Sequence, residues 1–136
     1  MPAMETTEIS LATGRQLVTD VTGQVEEFCA GKGDGICHVF APHATAGLAL
    51  METGAGSEAD LREAVERLFP RDDRYRHRHG SPGHGADHVI PAFISPSLVL
   101  AVRGGRPVLG TWQSVVFVDP NTDNENRRLV LSFLSA

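Results

Sequence analysis

The stretch SLVLAVRGGRPVLGTWQSVVFV, from Ser97 to Val118, decides the fold. Its apolar, β-branched opening predicts a strand from Ser97 to Val102. Arg103-Gly104-Gly105-Arg106 then reads as a hairpin turn, because paired glycines reach positive φ at little steric cost. Val108 to Val118 is the expected returning strand. Downstream, Asp119 to Asn126 is turn-rich, and Arg127 to Leu134 alternates in polarity as a last strand does. Upstream, Asp87 is placed to cap a short helix from His88 to Ile94, although Pro91 is tolerated in a first turn and not much further in. Ser57 and Asp60 resemble a capping box, and Leu61, Val65 and Leu68 keep helical spacing until Pro70 stops the run. The apolar runs Ile36 to Ala41 and Ala46 to Met51 predict two strands broken at Pro42-His43-Ala44-Thr45. Val21, Val25, Phe28 and Cys29 share one helical face, with Thr19 or Asp20 as cap and Gly31 as stop. Glu5 to Ala12 alternates as a first strand. This order argues for one α+β domain over residues 1–136, with a mainly antiparallel sheet and two to three helices.

Size and charge narrow the function classes. The 136 residues fall well short of the roughly 250 of a TIM barrel. No apolar run approaches the roughly 20 residues that cross a bilayer, so no membrane association is expected. The net charge is −5 and the basic residues gather in one segment, which disfavours nucleic acid and fits a compact anionic ligand. The first residues lack the basic-then-apolar pattern of a secretory signal, so the cytoplasm is the expected location. Cys29 and Cys37 are read as reduced core residues in that setting.

The segment from Pro70 to Ala86 is too polar and glycine-rich for a strand or helix. It holds His77, His79 and His84, along with Arg71, Arg74, Arg76 and Arg78, and Asp87 and His88 follow it directly. Imidazole binds metals and moves protons near neutral pH, and guanidinium holds phosphate. The spacings His77-x-His79 and His84-x3-His88 permit a divalent ion, such as zinc or magnesium, with one position left open. His79 and His84, beside Gly80 and Gly83, read as solvated loop residues. His43 lies in the break between two strands, where rigid neighbours hold a loop side chain, and Glu52 ends the next strand, expected at the same end of the sheet. His38, inside an apolar run, reads as structural. Trp112 is suited to stack on a ring or to pack in the core, and Gln113 to hydrogen-bond a ligand. Arg127 and Arg128 must face opposite sides of a strand, so one of them at most is a phosphate clamp for a given site.

Five blocks carry a resemblance: His43-Ala44-Thr45-Ala46-Gly47, Glu52, Tyr75-Arg76-His77, Asp87-His88 ahead of Ser95-Pro96-Ser97-Leu98, and Leu109-Gly110-Thr111-Trp112-Gln113-Ser114. Together they resemble the YjbQ-like family, whose members have a secondary thiamine-phosphate synthase activity. The resemblance implies a homotrimer with polar pockets near subunit boundaries, and an enzyme joining pyrimidine pyrophosphate and thiazole phosphate precursors. Its implied site residues are His43, Glu52, His77, Asp87, His88, Trp112 and Gln113. On that basis His43, Glu52 and His88 are expected to be catalytic, and His77, Asp87 and His88 to hold the metal. Arg76, Arg127, Trp112 and Gln113 are expected to bind a phosphorylated substrate. The chain departs from the family pattern at Ile90 and in Asp119 to Asn126. A binding module without turnover, or a trimer whose histidines tune assembly, are the readings from other classes.

Overall fold

A computed structural model describes residues 3–78, 80–123 and 125–136. Alternation in β1 (Met4–Ala12), β3 (Gly35–Phe40), β5 (Ser97–Arg103) and β8 (Asn126–Ser135) builds one antiparallel sheet, completed by the two-residue β6 (Arg106–Pro107) in the order β1-β8-β3-β5-β6. A second antiparallel sheet has the order β2-β7-β4, formed by Val18–Asp20, Ser114–Val118 and Gly47–Met51. Helices α1 (Thr22–Cys29) and α2 (Ser57–Leu68), and two 3₁₀ turns at His84–His88 and Ile90–Ala92, complete the described elements. The α+β class and antiparallel pairing expected from the pattern are present.

Strand β7 shows how the layers are made. Successive strand side chains point to opposite faces. Val115 and Phe117 enter the core shared with Leu131, Val39 and Val25, whereas Val116 and Val118 pack with Leu17, Val65 and Ile90. The small sheet is therefore apolar on both faces, sandwiched between the large sheet with α1 and the layer of α2 with the 3₁₀ turns. Such two-sided burial explains the unbroken run Val115-Val116-Phe117-Val118.

The structure corrects three local expectations. The strand returning from the Gly104-Gly105 turn ends at Pro107, which has no N–H to extend a ladder. One further bond runs from Val108 N–H to the Ala101 carbonyl, and a tight turn closed by Gln113 N–H on the Gly110 carbonyl then sends the chain into the other sheet. Helix α2 is entered through Gly56, at φ 97°, rather than through a capping box. Its first turn is joined to the preceding loop by Glu58, whose carboxylate accepts the Gly54 N–H. The helix expected over His88 to Ile94 is a pair of 3₁₀ turns, and Asp87 lies inside the first of them.

Candidate functional site

The histidine loop packs by means of its glycines. A Cβ on Gly85 would stand 2.6 Å from Tyr75 Cβ and 2.8 Å from the His77 carbonyl, and Gly83 adopts φ 77° against Arg71. Only glycine lets the segment fold back so closely. The result is a cleft of about 320 Å³ lined by residues that include Arg71, Tyr75, His77, Arg78 and His84.

Behind the cleft residues Arg71 and His84, Asp87 is fully buried and receives an N–H of Arg71. Its other oxygen lies 3.2 Å from His84 Nδ1. A buried carboxylate beside Nδ1 favours the proton there, leaving the lone pair on Nε2. That Nε2 lies 3.0 Å from His88 Nε2. Two ring nitrogens bound to one ion at roughly 2.0–2.1 Å each would stand about 2.9–3.4 Å apart, so the pair already has the span of neighbouring metal ligands. The His77 ring lies 4.2 Å, centre to centre, from that of His88 and 5.8 Å from that of His84. Among the described residues no three such side chains stand as a closed ligand set. The fit is therefore to an open two-nitrogen centre, with the His77 ring beside it.

His84 is the residue that the sequence reading passed over. It is buried, 7 % exposed, rather than solvated. The available signal was its spacing to Asp87 and His88, which one 3₁₀ turn brings to a common side. His79 lies outside the described residues.

The other expected residues stand elsewhere. His43 borders a second cleft of about 660 Å³ with Glu8, Ser10, Asn126, Arg127 and Arg128. Its Nε2 accepts the Arg128 N–H at 3.0 Å, and its ring meets Phe117 edge-on. Burial, aided by the Arg127 charge, holds its pKa below the ordinary 6.5. Arg127 is buried and pairs through Nε with Asp119 at 2.7 Å, while Thr45 donates to the same carboxylate at 2.9 Å. Arg128, on the opposite face, pairs with exposed Glu8 at 3.2 Å. Strand β4 spans about 13 Å at the usual rise, so Glu52 leaves it exposed at the end away from His43. Trp112 is 74 % exposed, and Gln113 Oε1 accepts the Gly110 N–H at 2.8 Å, closing its own turn. Arg76 is exposed beside Tyr75 and His77. The described geometry thus gathers His77, His84, Asp87 and His88 at one place, and His43 with Arg127 at another. His38 faces outward from the large sheet, 2.6 Å from the Ser97 hydroxyl.

A family model described as UPF0047 protein YjbQ-like matches residues 7–136. A UPF0047 protein of Mycobacterium tuberculosis is 56% identical over 131 residues, covering 96% of this chain and 98% of its own. A crystal structure from Sulfolobus solfataricus, described as a YbjQ-like protein of unknown function, superposes with a TM-score of 0.91 at 25% identity, over 100% of both chains. A hypothetical protein from Aeropyrum pernix gives 0.88 at 32% identity, over 97% of this chain and 99% of that one. These findings overturn the expected thiamine-phosphate synthase activity. The relatives carry a family designation without an activity, and the Sulfolobus protein is of unknown function, so family membership supplies no synthase assignment.

Proposed function

We propose that this chain, which belongs to the UPF0047 family of YjbQ-like proteins, holds a divalent metal at His84 and His88 and uses it to bind a small anionic ligand, phosphate-bearing for preference, in the adjoining cleft. The observation that carries this reading is the Nε2 pair, 3.0 Å apart, with Asp87 behind His84. A carboxylate behind a ligating imidazole fixes its tautomer and ring orientation. Imidazole donors suit zinc better than magnesium, which prefers oxygen. The ion would supply positive charge and a site for a ligand oxygen. Arg71 and Arg78 on the cleft wall, with Arg76 exposed nearby, would add guanidinium donors for the rest of the anion.

The same 3.0 Å approach favours a second reading, in which Asp87, His84 and His88 form a proton relay and His88 acts as the acid or base. Zinc titration of tag-free protein by calorimetry separates the two. One ion per chain, lost with either His84→Ala or His88→Ala, supports the metal centre. No zinc uptake, together with bound phosphate that depends on His88, would support the relay instead.

We further propose self-association as a homotrimer in the cytoplasm. The outer face of the large sheet exposes Met4, Ile36, Val99 and Leu134, an apolar patch that suits burial against a different surface of the next copy in a closed ring. The two buried thiols suit a reducing compartment. A light-scattering mass of three times 14.6 kDa is the expected result, and a mass of one chain would refute the assembly.

A further inference from the structure

The loop between β7 and β8 is organised from its buried end outward. Asp119, held by Arg127 and Thr45, accepts the Asn121 N–H at 3.0 Å, and Asn121 Oδ1 accepts the Asp123 N–H at 2.9 Å. These two successive side-chain turns deliver Asp123 to the histidine loop. There its Oδ2 accepts the Ser81 N–H at 3.4 Å and lies 3.7 Å from His84 Nδ1. His84 Nδ1 is therefore flanked by two carboxylates from different segments, Asp87 from its own turn and Asp123 from the β7–β8 loop.

We infer that Asp123 is a positioning residue: it straps the histidine loop to the β7–β8 loop and, with Asp87, keeps the proton on His84 Nδ1 so that Nε2 faces His88. Its two tasks are separable. Holding the loop requires only an acceptor for the Ser81 N–H, which an asparagine oxygen also supplies. Biasing the imidazole requires the negative charge. Only the consequence for metal affinity rests on the proposed centre; the strap and the tautomer preference require no ion.

The test compares Asp123→Ala and Asp123→Asn with the wild-type full chain, unchanged thermal unfolding serving as the control for folding. Hydrogen exchange over residues 80–85 should quicken about tenfold in the alanine variant and stay near wild type in the asparagine variant. Two-bond ¹H–¹⁵N spectra of His84 should show the Nδ1–H form in the wild type and a mixture of tautomers in both variants. Zinc affinity should fall by about tenfold in the asparagine variant, the low end for an outer-shell partner, because Asp123 is partly exposed and its charge is screened. Wild-type exchange and an unchanged tautomer in both variants would overturn the inference. Absence of zinc binding by the wild type would remove the proposed centre, and exchange and tautomer would still decide the strap.

Discussion

At the residue scale the chain places two ion pairs differently, and the difference sets what each can do. Arg127 and Asp119 are both nearly sealed from water and share Thr45 as a third partner. Removing one member leaves a buried charge unmatched, a loss of about 3–5 kcal/mol. Arg127→Ala should therefore lower the free energy of urea unfolding by about that amount, whereas Arg128→Ala, cut from exposed Glu8, should change it by less than about 1 kcal/mol. Equal small losses would show that Arg127 is not structural and return it to ligand binding. His43 provides a pH signature. Its folded pKa lies below 6.5 because burial, and then Arg127, disfavour the imidazolium. Below the unfolded value the unfolded chain takes up a proton that the folded chain resists, so stability present above about 6.5 declines as pH falls through the folded pKa. Unfolding measured between pH 7.5 and 5 should show a shallower decline in His43→Gln than in the wild type; parallel slopes would remove His43 as the source.

Helices and strands are the scale at which sequence was read best, and its failures there have definite causes. The faces carrying Val21, Val25 and Cys29, and Leu61 and Val65, were visible from periodicity because one apolar stripe meets one core. The short β2 was missed since three residues carry no detectable period. The change of sheet after Pro107 was missed because Val108 and Leu109 read as strand continuation, although Pro107 and Gly110 interrupt it. Close approach between elements was likewise hidden in the letters. Gly47 begins β4 where an added Cβ would lie 1.9 Å from the Ile94 carbonyl oxygen. That oxygen belongs to the backbone and cannot swing away, so Gly47→Ala should cost about 1–3 kcal/mol by overpacking, whereas Gly23→Ala, which meets nothing within 4 Å, should not destabilise α1. Equal stability of the two variants in urea would contradict this packing of β4 against the segment after the 3₁₀ turns.

In the whole molecule, the histidine loop after α2 meets the acidic loop after β7, beside a sheet buried on both faces. Sequence alone marked the histidine loop as functional because its composition has no structural use. It could not rank the imidazoles, since which nitrogens meet depends on a 3₁₀ turn, on glycines that permit chain reversal and on a carboxylate supplied from the β7–β8 loop. It also joined His43 to the cluster, a link that separate clefts in the single chain do not make. The central claim is that two imidazole nitrogens share one ion. The direct measurement is an anomalous-difference map at the zinc edge from crystals of tag-free protein grown with zinc. A shared ion gives a peak roughly 2.0–2.1 Å from both His84 Nε2 and His88 Nε2, with Asp87 still against His84 Nδ1. A map with no peak at this pair, the two nitrogens remaining in contact, would contradict it.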